Sequence, residues 1–424
     1  MSKPKLRWLK LDNAAKIYPA ALRQNWSNVY RLSVTLTEPV DPAVLQSALD
    51  ATVPRFPSIA ARLRRGLFWY YLQQLEKAPD IRQEYSFPLT RMRRDEIRKC
   101  ALRVIVYENR IALELFHSLT DGSGALIFLK TLLAEYLLQK YGVNAAGEGI
   151  LDRSAQPDPA ELEDSFPKYA GKLVTSRKEN NAWHLSGTEE PDGFMHITCF
   201  ELPVKEALEK AREHGVSLTV FLGALLLQAL QSLQAEKISD PQKRPPLRLQ
   251  IPVNLRNLFP SKTLRNFALY TTPEILPRLG HYSFEELCKV IRHTMGAEIT
   301  QKHMSMRIAT NVSSEQNMAV RLIPLFLKNI VMRAVFDAVG ERKSCLSMSN
   351  LGRVDLPEEM ARFVRRFDFI LGVQAAAPNN CGILSYGDIL YINFIRNTKE
   401  PDLERHFHLA LQSLGLTAQV QTNS

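Results

Sequence analysis

Cysteine is scarce in this chain and nowhere clustered. Its 424 residues include five, Cys100, Cys199, Cys288, Cys345 and Cys381. An odd number at wide spacing, with no Cys-x-x-Cys pair and no Cys/His grouping, excludes a disulfide framework and a structural zinc site. It points instead to reduced thiols in a cytosolic setting. The first residues, MSKPKLRWLKLDNAAKIY, lack the apolar core of a signal peptide, so a cytoplasmic location is expected. The most apolar stretches, Ala125–Leu138 and Val220–Leu227, are too short and interrupted to match the roughly 20 residues a bilayer span needs. No internal repeat is detectable.

What is present is ordinary globular composition with a basic balance. Hydrophobic residues make up 45% and charged residues 23%, enough for a sizeable core and for two lobes. Lys plus Arg is 54 against 44 Asp plus Glu, a net charge of +10. The basic residues are scattered, and runs such as Arg91-Met92-Arg93-Arg94 carry no interleaved aromatics, so nucleic acid is not expected as a partner. A phosphorylated cofactor, an acidic carrier protein or a plain solvated surface would suit the same charge.

Patterning predicts strands at Tyr30–Thr37, Leu67–Gln73, Arg82–Phe87, Ala101–Tyr107 and Ile111–His117. It predicts helices at Val44–Leu49, opened by Asp41-Pro42, and at Ala125–Tyr141. A polar connection over Val143–Ser165 and a loose stretch over Asn180–Gly193 follow. Beyond them come strands at Met195–Leu202, Leu247–Val253, Leu264–Thr271, Cys345–Asn350, Phe367–Gln374, Gly382–Tyr386 and Ile389–Ile395. Helices are expected at Val204–Glu213, Val220–Leu233, Ser283–Thr300, Pro324–Val339 and Asp402–Leu414. The order gives an α/β chain of two lobes, 1–180 and 181–424, each packing helices on a mixed sheet. For Pro324–Val339, basic and amphipathic, membrane-surface contact is weighed against a packed core helix, and packing is expected.

The most informative stretch is Ile111–Leu133, IALELFHSLTDGSGALIFLKTLL. Ile111, Leu113, Leu115 and His117 fall on one face of a strand. The polar loop Asp121-Gly122-Ser123-Gly124 follows, and the chain is expected to turn helical at Ala125. By residue type alone, a histidine ending a strand is more often a hydrogen-bonded core residue. A fixed imidazole tautomer with a nearby carboxylate also suits a general base, because its pKa lies near neutrality.

His117-Ser-Leu-Thr-Asp121-Gly122 resembles the HxxxDG motif of the acyl-CoA-dependent acyltransferase superfamily. That group includes chloramphenicol acetyltransferase, alcohol acetyltransferases, BAHD acyltransferases and peptide-synthetase condensation domains. A second similarity lies in Leu249–Thr272, LQIPVNLRNLFPSKTLRNFALYTT, where Pro252, Asn254 and Arg256 precede Asn266-Phe267. A third is Ser347-Met-Ser349-Asn350-Leu-Gly352. Val53–Leu63, VPRFPSIAARL, fits as well. The peptide-synthetase motif opens on two histidines where this chain has Phe116-His117, and the DFGWG motif of plant BAHD enzymes is absent. Both departures favour a stand-alone bacterial-type alcohol acyltransferase.

The resemblance implies two chloramphenicol-acetyltransferase-like lobes (an α+β two-layer sandwich) with an active-site tunnel between them. His117 would be the general base, and Asp121, with Gly122, a structural element held by Arg256. Asn254, Asn266, Ser349 and Asn350 would line the channel or stabilise the oxyanion. The implied reaction moves an acyl group from acyl-CoA, a co-substrate and not a resident cofactor, to a small alcohol or amine. No metal is expected, and the chain is expected to be a monomer. Two alternatives stay open: a condensation-type enzyme using acyl carrier protein thioesters, and a non-catalytic binding protein of the same fold.

Overall fold

The computed structural model describes residues 7–22, 28–174, 180–316, 321–336, 341–374 and 377–423. Three sheets organise them. The first has five strands in the order Val364–Ile370, Val29–Leu36, Arg110–Phe116, Leu102–Tyr107, Arg82–Gln83. Its centre is antiparallel, with Leu113 facing Leu32 on one side and Val104 on the other. The second runs Ala268–Thr271, Leu247–Asn254, Leu346–Val354, Asn379–Tyr386, Ile389–Arg396, His196–Pro203, Gln419–Thr422, with Glu274–Ile275 added beside Leu247–Asn254. Parallel pairs at Leu346–Val354 make this sheet mixed. The third is small: Trp8–Lys10, Tyr70–Gln74, Ala61–Arg65.

Each large sheet carries one long helix that is apolar nearly all round, and such a helix must be covered on every side. Gly122–Tyr141 packs on the helix Pro42–Thr52 and on the strand Val29–Leu36. Leu218–Lys237 packs against Asp402–Ser413, Phe284–Glu298, Val204–Glu213 and the strand Leu247–Asn254. This second helix is longer than its expected core. By length and composition it could cross a bilayer, but 72% of its most apolar window is buried inside the fold. The buried apolar residues form two large cores, and the first draws in Cys199, Leu384, Tyr391 and Ile395 from strands of the second sheet. A smaller cluster around Phe166, Phe259, Phe267 and Met304 fills the space behind the motif loop.

One strand from beyond residue 180 crosses over. Val364–Ile370 completes the first sheet by pairing with Val29–Leu36, Phe367 opposite Val34. It also packs against Asn379–Tyr386 of the second sheet. There a Cβ on Gly382 would lie 2.3 Å from the Phe369 carbonyl oxygen, so only glycine admits that approach. The division near residue 180 therefore describes chain order, while the first sheet borrows a strand across it.

Three local differences bear on the site and on the surface. The motif helix begins at Gly122, not Ala125, because Asp121 caps it: its Oδ1 accepts from Gly124 N at 3.1 Å. Ser349 and Asn350 lie within a strand that continues to Val354, beside an irregularity in register between Asn350 and Arg353. The basic amphipathic helix spans Leu325–Val335, and the part of the expected Pro324–Val339 beyond Phe336 lies outside the described residues. It is not a packed core helix. Leu325 and Lys328 face inward, while Phe326, Leu327, Ile330 and Val331 face outward.

Candidate active site

His117 follows directly on the strand Arg110–Phe116, and its backbone N–H donates to the Asn28 carbonyl at 2.9 Å. The ring is half-buried between two tyrosines. Tyr18 stacks on it at 4.5 Å between centroids with 21° between planes, and Tyr30 lies tilted at 5.0 Å. Tyr30 donates its hydroxyl to the carbonyls of Thr120 at 3.0 Å and Asp121 at 3.1 Å, tying the loop to the sheet. Burial raises the pKa of both phenols, reinforced by neighbouring carboxylates, so both stay neutral at physiological pH.

One ring nitrogen is committed. Nδ1 of His117 lies 3.1 Å from Asn266 Oδ1. The Asn266 amide is oriented by two acceptors, since its Nδ2 donates to the His117 carbonyl at 3.0 Å and to Asp12 Oδ2 at 3.3 Å. Its oxygen therefore faces the ring, and Nδ1 must carry the proton. Among the described residues no hydrogen bond reaches Nε2, which is left with its lone pair. Burial lowers the His117 pKa below the usual 6.5; the charges of Asp121 and Asp12 and the Asn266 bond oppose that without reversing it. The imidazole is thus neutral at pH 7, the state a proton acceptor needs.

Asp121 points away from this contact. Its Oδ2 accepts from Arg256 Nη1 at 2.8 Å and from Phe267 N at 2.9 Å, while Oδ1 caps the helix. Arg256 spends its other donors on carbonyls: Nε on Thr263 at 3.0 Å and Nη2 on Arg265 at 2.6 Å. Arg256 sits in a short turn after the second sheet's strand Leu247–Asn254. The pair therefore fastens the motif loop of one lobe to the other. Gly124 is required by the same closure, because a Cβ there would lie 2.1 Å from Thr120 Oγ1 and 2.4 Å from the Leu264 carbonyl.

Two residues expected in the channel, Asn266 and Asn254, are bonded to the motif loop and its surroundings. Asn266 is buried with its amide fully engaged as described. Asn254 donates Nδ2 to Ser123 Oγ at 3.1 Å and accepts from Arg256 N and Nη1, both at 3.1 Å. One N–H of this amide has no hydrogen bond among the described residues. Ser349 is half-buried in its strand. Asn350 donates to Thr219 Oγ1 at 3.2 Å and accepts from Gly352 N at 2.8 Å. Leu351, next in the strand, lies over Gly122: a Cβ there would be 2.7 Å from its Cδ2. This brings the Ser349–Asn350 segment to the mouth of the motif loop.

Sequence reasoning missed four side chains. Asp12 is fully buried, accepts from Ala15 N at 2.7 Å and from Asn266, and lies 3.5 Å from Arg265 Nη2. Burial raises its pKa, with Arg265 opposing. Tyr18, Tyr30 and Arg265 complete the surroundings. No local spacing marks any of them, since Asp12 and Tyr18 stand some hundred residues before the motif they serve.

No protein-family model matches this chain, and no curated protein matches it. Solved structures match over nearly its whole length. It is similar to TRI3, a trichothecene 15-O-acetyltransferase from Fusarium sporotrichioides, at 11% identity and a TM-score of 0.62, covering 98% of this chain and 96% of that one. For TRI101 of F. sporotrichioides, solved with coenzyme A and T-2, the values are 12%, 0.63, 98% and 99%. For the first condensation domain of the calcium-dependent antibiotic synthetase, solved with a substrate analogue, they are 11%, 0.58, 99% and 100%. These likenesses define the fold: the chain has the two-lobed architecture of the coenzyme A-dependent acyltransferases and condensation domains.

Proposed function

We propose that this protein transfers an acyl group from a thioester, acyl-CoA by preference, to the hydroxyl or amine of a small acceptor. The observation that carries the reading is the asymmetry of His117: Nδ1 is anchored by Asn266, and Nε2 has no hydrogen bond among the described residues, on a neutral ring. In this scheme Nε2 takes the acceptor's proton as its oxygen or nitrogen bonds to the thioester carbonyl carbon. The tetrahedral oxyanion then collapses, the C–S bond breaks, and His117 returns the proton to the departing thiolate. The segment at Ser349 and Asn350 is the proposed source of oxyanion donors. Asp121 and Gly122 hold the loop and carry no proton.

The five cysteines are free and take no part in the scheme. Burial pushes the Cys100 and Cys288 thiols up to about 11, away from the thiolate form a nucleophile needs. Similarity to TRI3 and to TRI101 with coenzyme A supports the donor class. We propose a cytoplasmic monomer with no resident cofactor.

The test is release of free thiol from acyl-CoAs of graded length, with mixed alcohol and amine acceptors, by wild type and His117→Ala. Release that requires both an acceptor and His117 is expected. No release from any acyl-CoA, with turnover of carrier-protein thioesters, would move the donor to the condensation type. Inactivity with both would leave a binding protein of this fold.

A further inference from the structure

The helix Leu325–Val335 is built inside out. Lys328 points into the protein, where Nζ lies 3.6 Å from the Trp69 ring centroid and donates to the Phe68 carbonyl at 3.0 Å. Asn329 donates to the Tyr70 hydroxyl at 3.0 Å. The opposite face is apolar and bare: Phe326 is 56% exposed, Leu327 45%, Ile330 65% and Val331 52%, with Leu322 at 65% just before the helix. The turn that receives Lys328 adds Leu67 at 74%, and Leu325 N donates to the Leu67 carbonyl at 3.0 Å, so turn and helix form one surface. Water-exposed clusters of this kind mark interaction sites.

Charge identifies the occupant. Segments 61–71 and 321–336 together hold five arginines and one lysine and not one Asp or Glu. Arg65 and Arg321 are exposed and make no ion pair among the described residues. Arg333, also exposed, donates Nη2 to the Leu22 carbonyl at 2.6 Å. Apolar side chains rimmed by unopposed arginines suit the boundary of an anionic lipid leaflet, where acyl chains take the apolar face and headgroups the guanidinium groups. A second copy of this chain would instead bring cation against cation.

We propose that the surface formed by Leu325–Val335 and the turn at Leu67 docks the protein on anionic membranes. The helix packs on the short helix Ile17–Ala21, which carries the Tyr18 ring stacked on His117. Docking therefore places the lipid surface one helix away from the candidate base. Given the acyl-transfer reading, on which this extension alone rests, it favours a lipophilic donor or acceptor drawn from the bilayer.

Co-sedimentation with vesicles of phosphatidylcholine, with and without phosphatidylglycerol, tests the docking without any substrate. Wild type is expected to bind the anionic vesicles and to be released by high salt. Phe326→Glu/Ile330→Glu should reduce binding at least ~10-fold, and Arg65→Glu/Arg321→Glu should abolish the preference for anionic lipid. All four positions are exposed, so folding should survive, which circular dichroism checks. No binding by wild type, or binding unchanged in the Phe326→Glu/Ile330→Glu variant, would overturn the proposal. So would a dimer in sedimentation that this variant converts to monomer. Thiol release from soluble substrates is read separately, so failure of docking and failure of acyl transfer are distinguishable.

Discussion

Asp12 and Asp121 both stand close to His117, and they do opposite work. Asp121 belongs to the motif but turns its carboxylate to Arg256, Phe267 N and Gly124 N, three donors that make it a clasp between lobes. Asp12 belongs to no motif, yet it orients the Asn266 amide that sets the His117 tautomer. The carboxylate nearest in sequence to the histidine therefore builds the architecture, and the remote one reaches the ring through a single amide. Both charges raise the pKa of the ring, Asp121 more than Asp12, but only Asp12 is joined to it by a chain of hydrogen bonds.

The comparison can be broken at its centre first. His117→Ala removes the group both carboxylates serve, and turnover should fall by ~10²–10⁴-fold with the melting temperature little changed, as read by thiol release and calorimetry. Asp121→Asn should act next, and differently. An amide offers one acceptor oxygen where the carboxylate meets three donors with two, and it turns an NH2 toward one of them. Breaking so well-buried a pair should cost about 3 kcal/mol or more of stability, seen as a lower denaturation midpoint along with lost activity. Arg256→Ala should behave like Asp121→Asn, and a double-mutant cycle should show the two losses to be strongly non-additive.

Asn266→Ala separates the two roles. The loop clasp remains, but Nδ1 loses its acceptor, so kcat should fall on the order of 10²-fold with KM nearly unchanged. A fall in KM-governed binding with kcat intact would return Asn266 to the channel. The smallest effect on kcat is expected from Asp12→Asn, which keeps an oxygen for Ala15 N but turns an NH2 toward the Asn266 and Arg265 donors, so a loss of stability should accompany it. Burial holds the His117 pKa below 6.5, and activity needs the neutral ring, so the acid limb of the pH–rate profile should lie below pH 6.5. The Asp12 charge works to raise that pKa; removing it should move the limb to still lower pH. A limb that stays in place or moves up would show that Asp12 is not felt at the ring.

Much of this was legible before the fold. The strand–loop–helix around His117 follows from alternation and from an apolar run long enough to be covered on all sides. The capping of Gly122–Tyr141 was misplaced by three residues, because glycines at 122 and 124 look like loop until Asp121 is seen to cap them. The bonding of Asn266 was hidden for a related reason. Residue type says that an asparagine has two donors and an acceptor; only the neighbours say whether they are already spent. Leu325–Val335 shows the same limit, since amphipathic spacing is equally served by a face turned inward or outward. What turned it outward was Lys328, which found carbonyls and the Trp69 ring inside.

The sequence by itself determined the elements, the basic balance and the presence of a histidine-and-aspartate loop, because periodicity, composition and spacing are local properties. The tertiary structure decided that Asp12, Asn266 and His117 form one chain of contacts and that Asp121 clasps Arg256. It also decided that a strand from residues 364–370 completes the first sheet. Those are meetings between segments about a hundred to more than three hundred residues apart. Nothing in the residues near any one of them encodes its partner; only the packing of both cores does.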